Sequence, residues 1–396
     1  MNLLSTIKQK ASSMMPELIA IRRHLHSHPE LSMQERETSV FIQSKLTEYG
    51  IPFTAGIAVH GIVGLIKGKN PESRIVALRA DMDALPIVEK NQVEYCSQNP
   101  GVMHACGHDV HMTCLLGASK ILNELKSEFE GTVKLIFQPS EERFPGGASL
   151  MIKEGVLVNP APEKIFGQHV LPTLEAGKAG MKPGKYMAST DEVYLTVKGK
   201  GGHGATPELN TDPVLIAAHI LIALQQIVSR NLPPQLPAVL SFGRFIADGR
   251  TNIIPAEVKL EGTLRTFDEK WRAEAHTRIE KMARFIAEAM GGICEVFIDK
   301  GYPFLVNDDD VTAEVKQYAI EYLGSDNVVD LDMRMTAEDF AYYSQRVPSC
   351  FYRLGIRNEN LGIVHNLHTP EFDVDESSLV TGAGLMAWIA VNGLKH

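Results

Sequence analysis

The 396-residue sequence has few cysteines and no long apolar run, and each shortage excludes a class of protein. Its five cysteines are an odd number without the regular spacing of a disulfide scaffold, which indicates reduced thiols. No apolar run approaches the roughly 20 residues that span a bilayer, so a membrane is not an expected partner. The N-terminal sequence lacks the apolar core and cleavage site of a signal peptide, and we expect a cytoplasmic location.

The chain also lacks a basic patch. Its 39 lysine and arginine residues are outnumbered by 48 aspartate and glutamate residues, and the net charge of −9 is spread along the sequence. Nucleic acid is therefore not an expected partner. The composition, 44% hydrophobic and 22% charged, is that of an ordinary globular protein. A chain of this length favours two domains over a single core.

Short, continuously apolar strands mark the N-terminal part of the chain. Such strands are typical of a sheet that helices cover on both faces, as in α/β proteins. Three of them are 75-IVAL-78, 133-VKLIF-137 and 164-KIFGQH-169. Charged or imidazole side chains stand at their carboxyl ends, namely Asp81 with Asp83, Glu141 with Glu142, and His169. Because α/β sheets bind ligands at the carboxyl ends of their strands, this pattern predicts one site.

A second pattern begins near residue 191, where apolar residues alternate with polar ones. Asp212-Pro213 is a typical helix start, with a capping carboxylate before a proline in the first turn. The predicted element order is β-α-β-β-α-β, the ferredoxin-like arrangement. We therefore expect an α/β catalytic domain formed by 1–185 and 299–396, with a mixed sheet flanked by helices. Residues 186–298 are predicted to form an inserted ferredoxin-like α+β domain.

The stretch 103-MHACGHDVHM-112 crowds one cysteine among three histidines. Three interpretations compete: a buried thiol among incidental histidines, a cysteine–histidine nucleophile pair, or half of a metal site. Thiolate, imidazole and carboxylate together are the ligand set of zinc and other late divalent ions. The chain supplies this set through Cys106, His108, Glu142, His169 and His368. Five ligands exceed one tetrahedral site, so we expect two ions that share a bridging ligand, which we assign to Cys106.

The adjacent glutamates Glu141 and Glu142 are expected to have different roles beside such ions. One carboxylate binds an ion and the other stays free as a general base. Asp81 and Asp83, two apart on an extended chain, share a face and could both point to the site. For Asp81 a helix cap or an ion pair with Arg79 is an equal alternative. Asp83 is expected to hold a ligand histidine in position.

Ordered motifs along almost the whole chain resemble one family. They are 22-RRHLHSHPELSMQE-35, 78-LRADMDALPI-87, 104-HACGHDVH-111, 138-QPSEE-142, 168-QHV-170, 199-GKGGHGATP-207, 252-NIIP-255, 337-AEDFAYY-343 and 367-LHTPEFD-373. The chain resembles the M20 metallopeptidase and aminoacylase family. Within it, the likeness is to the amidohydrolase branch of hippurate hydrolases, indole-acetyl-amino-acid hydrolases and N-acyl-amino-acid deacylases.

The resemblance implies the roles of individual residues. It makes Cys106, His108, Glu142, His169 and His368 the metal ligands and Glu141 the general base. It also implies that the inserted domain is a lid and dimerisation domain whose His203 and Asn252 complete the site, with His203 donated across a homodimer interface. Asn252 and backbone amides near Gly355 are the expected donors to a substrate carboxylate.

The sequence departs from relatives in two places. Other branches carry His-x-Asp where this chain has Asp81-Met82-Asp83, so an acid replaces the first histidine and His108 supplies an imidazole instead. The glycine-rich motif that reads GGHAAxP in many relatives is 201-GGHGATP-207 here. Gly204 changes the local backbone freedom but leaves His203 in place.

The expected activity is hydrolysis of the amide bond of an N-acyl amino acid or small peptide by a metal-bound water, with Glu141 as base. The expected cofactors are two divalent ions per chain, and the ligand types do not separate zinc, manganese, cobalt and nickel. Two alternatives remain open at this point. One is a hydrolase with Cys106 as nucleophile, and the other is a non-catalytic protein that binds a small molecule on the same scaffold.

Overall fold

The structure, a computed structural model, describes residues 2–395 and divides into two compact units. The first unit comprises Met1–Tyr186, Val306–Met333 and Asp339–His396. The second unit comprises Met187–Leu305 and Arg334–Glu338. It therefore includes two short segments outside the predicted insertion of 186–298. One of them, 299–305, continues directly from the last strand of the insertion, which ends at Lys300.

The elements are numbered along the chain. Those before the second unit are α1 (Leu3–Ser13), α2 (Met15–Ser27), α3 (Arg36–Glu48), β1 (Phe53–Ile57), β2 (Gly61–Lys67), β3 (Ile75–Asp81), α4 (His108–Glu124), β4 (Thr132–Gln138), α5 (Gly147–Lys153), β5 (Lys164–Glu175), β6 (Ala179–Met181) and β7 (Gly184–Met187). The next are β8 (Asp191–Lys198), β9 (Gly202–His203), α6 (Pro213–Asn231), β10 (Ala238–Ile246), β11 (Ile253–Ile254), β12 (Glu257–Thr266), α7 (Glu269–Ala289) and β13 (Ile293–Lys300). The last are β14 (Leu305–Asn307), α8 (Asp309–Leu323), β15 (Val328–Asp330), α9 (Ala341–Ser344), β16 (Ser349–Arg357) and α10 (Ser377–Gly393).

An eight-stranded mixed sheet organises the first unit, in the order β1-β2-β4-β3-β5-β16-β6-β15. Its four central strands, β4, β3, β5 and β16, are mutually parallel. Their carboxyl ends therefore meet at one edge of the sheet. The sequence prediction of an α/β unit with a mixed sheet is confirmed.

Two nearly fully buried helices, α4 and α10, pack against each other in the core of the first unit. The residues of α10 are almost all apolar or small, as a helix inside a large core requires, whereas α4 also buries the polar side chains of His108, Asp109 and His111. Gly117 of α4 and Gly382 of α10 allow close approach. A β-carbon on Gly117 would lie 2.8 Å from the Ala383 side chain, and one on Gly382 would lie 2.5 Å from Cys114 Sγ. This core fixes the start of α4, which carries part of the candidate site.

The second unit has the predicted β-α-β-β-α-β order. Its four-stranded antiparallel sheet runs β10-β12-β8-β13, the ferredoxin-like strand order, with α6 and α7 packed in its core. Asp212 caps α6 as predicted, because its carboxylate accepts from the Val214 amide at 2.8 Å. Arg272 of α7 is buried and pairs with Asp191 at 2.6 Å, which ties the helix to the first strand of this unit.

Within residues 2–395, α6 is the one helix that is long and apolar enough to cross a membrane by length and composition. One face of α6, including Ile216, Ile220, Leu224 and Ile227, is buried in the core of the second unit. Leu215 and Ile222 on the other side are exposed. The apolar composition of α6 thus serves a core on one face and leaves apolar side chains at the surface on the other.

Candidate metal centre

The carboxyl edge of the central strands collects the acidic and imidazole side chains that the sequence singled out. Asp81 ends β3 and Asp83 follows it, Glu141 and Glu142 follow β4, and His169 lies in β5. Because β4, β3 and β5 are neighbours in the sheet, the three groups are brought side by side. The structure thus brings all five residues to the edge where the sequence predicts a site.

The turn before α4 brings the stretch 103-MHACGHDVHM-112 to the same carboxyl edge of the central strands. Gly107 has a φ of +81°, and a β-carbon there would come within 2.5 Å of the Val170 side chain. Only glycine permits this turn. Cys106 and His108 are therefore held beside β5, one on each side of Gly107.

His368 arrives from the C-terminal part of the first unit. Its backbone has a φ of +62°, an uncommon conformation for a residue with a side chain. Its amide donates to the Ala105 carbonyl at 2.8 Å, which fixes the segment next to Cys106. Strained residues persist where the surroundings hold them, and they cluster at functional sites. The His368 imidazole is exposed, unlike those of His108 and His169.

Two groups of possible metal ligands share the Cys106 thiol. One is Cys106, His108 and His169, and the other is Cys106, Glu142 and His368; in each group the ligand atoms lie within 4.8 Å of one another. Cys106 Sγ lies 3.5 Å from His169 Nε2 and 3.4 Å from His368 Nε2. Glu142 Oε1 lies 3.3 Å from His368 Nε2. All five predicted ligands therefore face one small volume.

The hydrogen bonds of two imidazoles leave their Nε2 atoms directed at this volume. His108 Nδ1 donates to the Asp83 carbonyl at 2.8 Å, and His169 Nδ1 donates to the Val170 carbonyl at 2.8 Å. A nitrogen that faces a carbonyl oxygen must carry the proton, so in the neutral ring the other nitrogen bears the lone pair. Supports of this kind orient the histidine ligands of metal sites.

Buried atoms without partners indicate that a cation belongs here. His108 Nε2 and Glu142 Oε1 are inaccessible to solvent and make no hydrogen bond within residues 2–395. They lie 3.9 Å apart. Buried polar atoms are almost always satisfied, so each exception requires an explanation. Thiol, imidazole and carboxylate donors converge on the same point, and a late divalent ion satisfies all of them.

The electrostatics of Cys106 argue against a nucleophilic cysteine. Burial raises the pKa of the Cys106 thiol, and the nearby carboxylates of Glu142 and Glu141 raise it further, well above its usual range. A reactive cysteine requires the opposite, an electropositive setting that lowers the pKa. A cation between the thiol and the carboxylates would reverse this effect. The donor set therefore fits a metal ion better than a cysteine nucleophile.

The two glutamates occupy different positions. Glu142 contributes its carboxylate to the group with Cys106 and His368. The Glu141 carboxylate belongs to neither group that contains the thiol, and its Oε1 lies 3.4 Å from the Asp339 amide nitrogen. Glu141 is nonetheless close, since one oxygen lies within 4.8 Å of ligand atoms of both His108 and Glu142. This geometry fits the predicted division between one carboxylate that belongs to a ligand group with the thiol and one that lies outside both such groups.

Asp83 and Asp81 support the ligands. Asp83 accepts from the His108 ring through its carbonyl and from the Glu141 and Glu142 amides through its carboxylate. Burial opposes ionisation of Asp83, but the hydrogen bond from His108 and its charge outweigh burial and lower the pKa of the carboxyl. Asp81 pairs with Arg79 at 2.6 Å, the alternative that the sequence left open.

His111 is the one histidine of the HACGHDVH stretch whose two ring nitrogens are both engaged. Its Nδ1 donates to Asp81 at 2.6 Å, and its Nε2 accepts from the Val170 amide at 2.9 Å. Burial lowers the pKa of His111, which agrees with a neutral ring that both donates and accepts. His111 therefore links Asp81 to the backbone next to His169.

The remaining predicted residues are His203 and Asn252 of the second unit and Gly355 of β16. His203 and Asn252 are exposed in the second unit, where β9 pairs with β11 and the Gly204 amide donates to the Asn252 carbonyl at 2.9 Å. The prediction for Gly355 is not supported. Its amide lies within β16 and already donates to the Lys178 carbonyl at 2.9 Å, so it is not free for a substrate carboxylate.

Sequence reasoning missed a buried polar cluster behind the site. Arg79 donates to Gln138 Oε1 at 2.9 Å and to Asp339 Oδ1 at 2.8 Å, and Gln138 Nε2 donates to both Asp339 oxygens at 2.8 Å. Asp339 is thereby fixed next to Glu141. The sequence gave a signal for Arg79, because it is a charged residue that directly follows the apolar run 75-IVAL-78, but its partners Gln138 and Asp339 are far away in sequence.

Comparison with known proteins agrees with a hydrolase of mixed α/β fold. The model of peptidase family M20/M25/M40 matches residues 77–392. An N-acyl-L-amino acid amidohydrolase of Geobacillus stearothermophilus is 42% identical over 304 residues, which cover 77% of this chain and 81% of that protein. Thermostable carboxypeptidase 2 of Saccharolobus solfataricus is 37% identical over 395 residues, 99% of each chain.

A solved structure is similar over nearly the whole chain. It is the Bacillus subtilis YXEP protein, described as a dinuclear metal binding peptidase from the M20 family. It is 34% identical, with a TM-score of 0.83, over 97% of this chain and 99% of that one. The chain therefore belongs to peptidase family M20/M25/M40 and is an amidohydrolase or peptidase of that family. The family and the enzyme class predicted from the sequence are confirmed.

Proposed function

We propose that the protein hydrolyses the amide bond of N-acyl amino acids, with two divalent cations held around Cys106 and with Glu141 as general base. The main support for this proposal is the pair of possible ligand groups that share the Cys106 thiol. Glu141, a buried carboxylate outside both groups, lies beside them. The similar B. subtilis protein is described as dinuclear, which supports the same count here.

The residues present can hold the two cations. Cys106, His108 and His169 would hold one, and Cys106, Glu142 and His368 would hold the other. When bound, such ions polarise a carbonyl group and make water more acidic at neutral pH. Zinc, manganese, cobalt and nickel all accept these ligands. The proposal therefore specifies the number and the position of the cations rather than the element.

Glu141 moves the proton in this reaction. Its carboxylate accepts a proton from the attacking water and returns it to the departing amine, so the same group serves as base and then as acid. Two contacts restrict the direction of the Glu141 carboxylate. The Asp339 amide donates to Glu141 Oε1, and the backbone amide of Glu141 donates to the Asp83 carboxylate. A base that is held in one direction needs little reorganisation during the reaction.

We propose that His203 and Asn252 of the second unit contact the substrate. Ala205 donates its amide to His203 Nδ1 at 3.0 Å, so the neutral ring carries its proton on the other nitrogen, Nε2. That Nε2–H is a donor for the oxyanion that forms at the substrate carbonyl. Asn252 is exposed next to it across the β9–β11 pair and supplies a donor for the substrate carboxylate.

We further propose a homodimer in which His203 acts on the partner's site. Apolar side chains are exposed on α6, α7 and the edge strand β13 of the second unit. They are Leu215, Ile222, Phe285, Ile293 and Phe297, each more than half exposed. Exposed apolar patches and open sheet edges are typical of surfaces that bind a second copy.

The substrate class rests on the relatives. One is named an N-acyl-L-amino acid amidohydrolase and another a carboxypeptidase, so N-acyl amino acids are the first candidate and small peptides the second. Both share an amide next to a free carboxylate, which is what a site with Asn252 as carboxylate donor would select.

A metal-by-substrate screen tests the proposal. The metal-free protein is loaded in turn with zinc, manganese, cobalt or nickel and assayed on N-acyl amino acids and dipeptides. We expect hydrolysis only after loading, and an N-acyl amino acid as the best substrate by kcat/KM. Activity in the metal-free protein that iodoacetamide abolishes would instead establish Cys106 as a nucleophile. Binding of these compounds without turnover under any metal would favour the non-catalytic alternative.

A further inference from the structure

Two buried carboxylates hold three consecutive backbone amides where β4 leads into the candidate site. Glu35 Oε1 accepts from the Ser140 amide at 2.7 Å. Asp83 accepts from the Glu141 amide and from the Glu142 amide, each at 2.9 Å. Successive amides that converge in this way form an anion-binding concavity. Here the anions are side chains of the protein itself, and the turn they hold carries both glutamates of the site.

The turn is strained at the residue that Glu35 contacts. Ser140 has a φ of +55°, in the left-handed region that residues with a side chain rarely adopt. Such a conformation persists only where the surroundings hold it. The Glu35 contact is the one that fixes the Ser140 amide, since Asp83 binds the next two amides. The orientation of the Glu141 backbone therefore depends on Glu35 through Ser140 as well as on Asp83.

The loop before α3 delivers Glu35 to this position. The Ala84 amide donates to the Glu30 carbonyl at 2.8 Å, and Ser32 Oγ donates to Asp83 at 2.6 Å. These contacts fix the loop to the chain that follows β3. Glu35 then reaches Ser140, 105 residues away in sequence. The 22-RRHLHSHPELSMQE-35 motif, to which the reaction assigns no role, thus ends in a contact with the turn of the general base.

We propose that Glu35 is a positioning residue that holds the Ser140 turn so that Glu141 points at the reacting water. The inference rests on the proposed function and adds a residue to it. Within residues 2–395, the hydrogen bond of the Glu35 side chain to this turn is with the Ser140 amide and not with a ligand of the candidate metal centre. Its partner is a backbone amide, so it acts on Glu141 through the chain rather than through the cations.

The contact requires an acceptor atom at the right distance more than it requires a charge. Glu35 is fully buried and its Oε2 makes no hydrogen bond within residues 2–395. Burial, together with the neighbouring Asp83 charge, raises the pKa of Glu35 to about 7. An uncharged carboxyl or amide oxygen at the same position also accepts from Ser140, with a weaker hydrogen bond than a carboxylate makes. Shortening the side chain by one carbon, in contrast, removes the acceptor from reach.

Two reciprocal variants separate these effects. Glu35→Gln keeps the length and loses the charge, and Glu35→Asp keeps the charge and loses the length. We expect Glu35→Gln to retain kcat within about threefold. We expect Glu35→Asp to lose kcat by on the order of 10²-fold, the cost of misplacing a catalytic group by about 1 Å. KM and the metal content of about two ions per chain should be unchanged in both variants.

Hydrogen exchange provides a readout that does not depend on activity. A peptide covering residues 138–146 should exchange its amides faster in Glu35→Asp than in wild type or Glu35→Gln, because the Ser140 amide loses its acceptor. Glu37→Gln is the matched control, an exposed glutamate of the same helix start that should change neither kcat nor exchange. If Glu35→Asp does not fold, Glu35→Ala takes its place.

The outcomes distinguish this inference from the proposed function. If wild type has no metal-dependent hydrolysis, the proposed function fails, whereas exchange still tests the Glu35 contact. If wild type is active and the shortened variant keeps kcat within threefold, the positioning role is refuted. It is also refuted if Glu35→Gln loses as much kcat as the shortened variant, or if exchange at 138–146 is the same in all proteins.

Discussion

The adjacent glutamates offer the sharpest test of how the site divides its work. We predict that Glu141→Gln keeps both cations and loses kcat by roughly 10²–10⁴-fold, the usual contribution of a general base. The cations should stay bound because Glu141 belongs to neither ligand group that contains Cys106. An amide at this position keeps the shape and the Asp339 contact but cannot accept the proton from water.

Glu142→Gln should behave differently, because Glu142 Oε1 lies 3.3 Å from His368 Nε2 and has no hydrogen-bond partner in residues 2–395. Loss of a supporting residue typically weakens metal binding by about 10–100-fold, and loss of a ligand carboxylate should cost at least as much. The assay pairs metal content by elemental analysis with kcat at saturating metal. If Glu141→Gln loses metal while Glu142→Gln keeps it and loses kcat, the assignment within the pair is reversed.

Three further predictions concern protonation, stability and the second unit. Burial alone would lower the pKa of His108, but the nearby carboxylates raise it to about 10. Below that pH a proton therefore competes with the cation for His108. We predict that metal affinity, measured against a competing chelator, rises as the pH rises from 6.5 to 8.5. Asp191→Ala removes the buried carboxylate that pairs with Arg272 and leaves Arg272 the partly exposed Glu269, so it should lower the free energy of unfolding in urea by about 3 kcal/mol. His203→Ala should keep both cations and lose kcat by about 10²–10³-fold. If His203 acts across a dimer, a mixture of His203→Ala and Glu141→Gln chains should regain part of the activity, because each heterodimer then contains one intact site.

Each of these three predictions has a control. A flat or falling metal affinity between pH 6.5 and 8.5 would show that no ligand releases a proton on binding. Glu295→Ala, which breaks an exposed pair with Lys198, should cost less than about 1 kcal/mol, and an equal cost for Asp191→Ala would refute the buried-pair argument. If heterodimers confirmed by mass remain inactive, His203 acts within its own chain.

Much of the fold could be predicted from the sequence because hydrophobic periodicity and helix-capping residues are local features of the chain. The start of α6 after Asp212 was predicted from a capping residue and a proline, and the structure confirms both. The β-α-β-β-α-β order of the second unit followed from alternating strands and two long amphipathic helices. Short strands such as β1 and β6 gave no signal, because five and three residues are too few to show a period.

Sheet order and long-range contacts were beyond local patterns. The sequence predicted that the strand ends carry the site, but the neighbour relation of β4, β3 and β5 is a property of the folded sheet. The Glu35–Ser140 contact joins two motifs that each looked complete by themselves. The amide of Gly355 could be assigned to a substrate only while its partner in the sheet was unknown.

The candidate ligands were predictable because their chemistry is unusual. Cysteine, histidine and glutamate are uncommon neighbours at strand ends, and a metal site explains all of them at once. The roles of the carboxylates were harder to assign from sequence. Asp81 and Asp83 look equivalent in 81-DMD-83, yet one pairs with Arg79 and the other holds His108 and the two glutamate amides.

Anomalous diffraction from crystals of the metal-loaded protein would locate the cations around Cys106. We predict two anomalous peaks per chain, both within bonding distance of Cys106 Sγ, about 2.3 Å for zinc. One peak should lie next to His108 and His169, and the other next to Glu142 and His368. A single peak, or peaks that do not contact Cys106, would contradict the shared-thiol centre on which the proposed function depends.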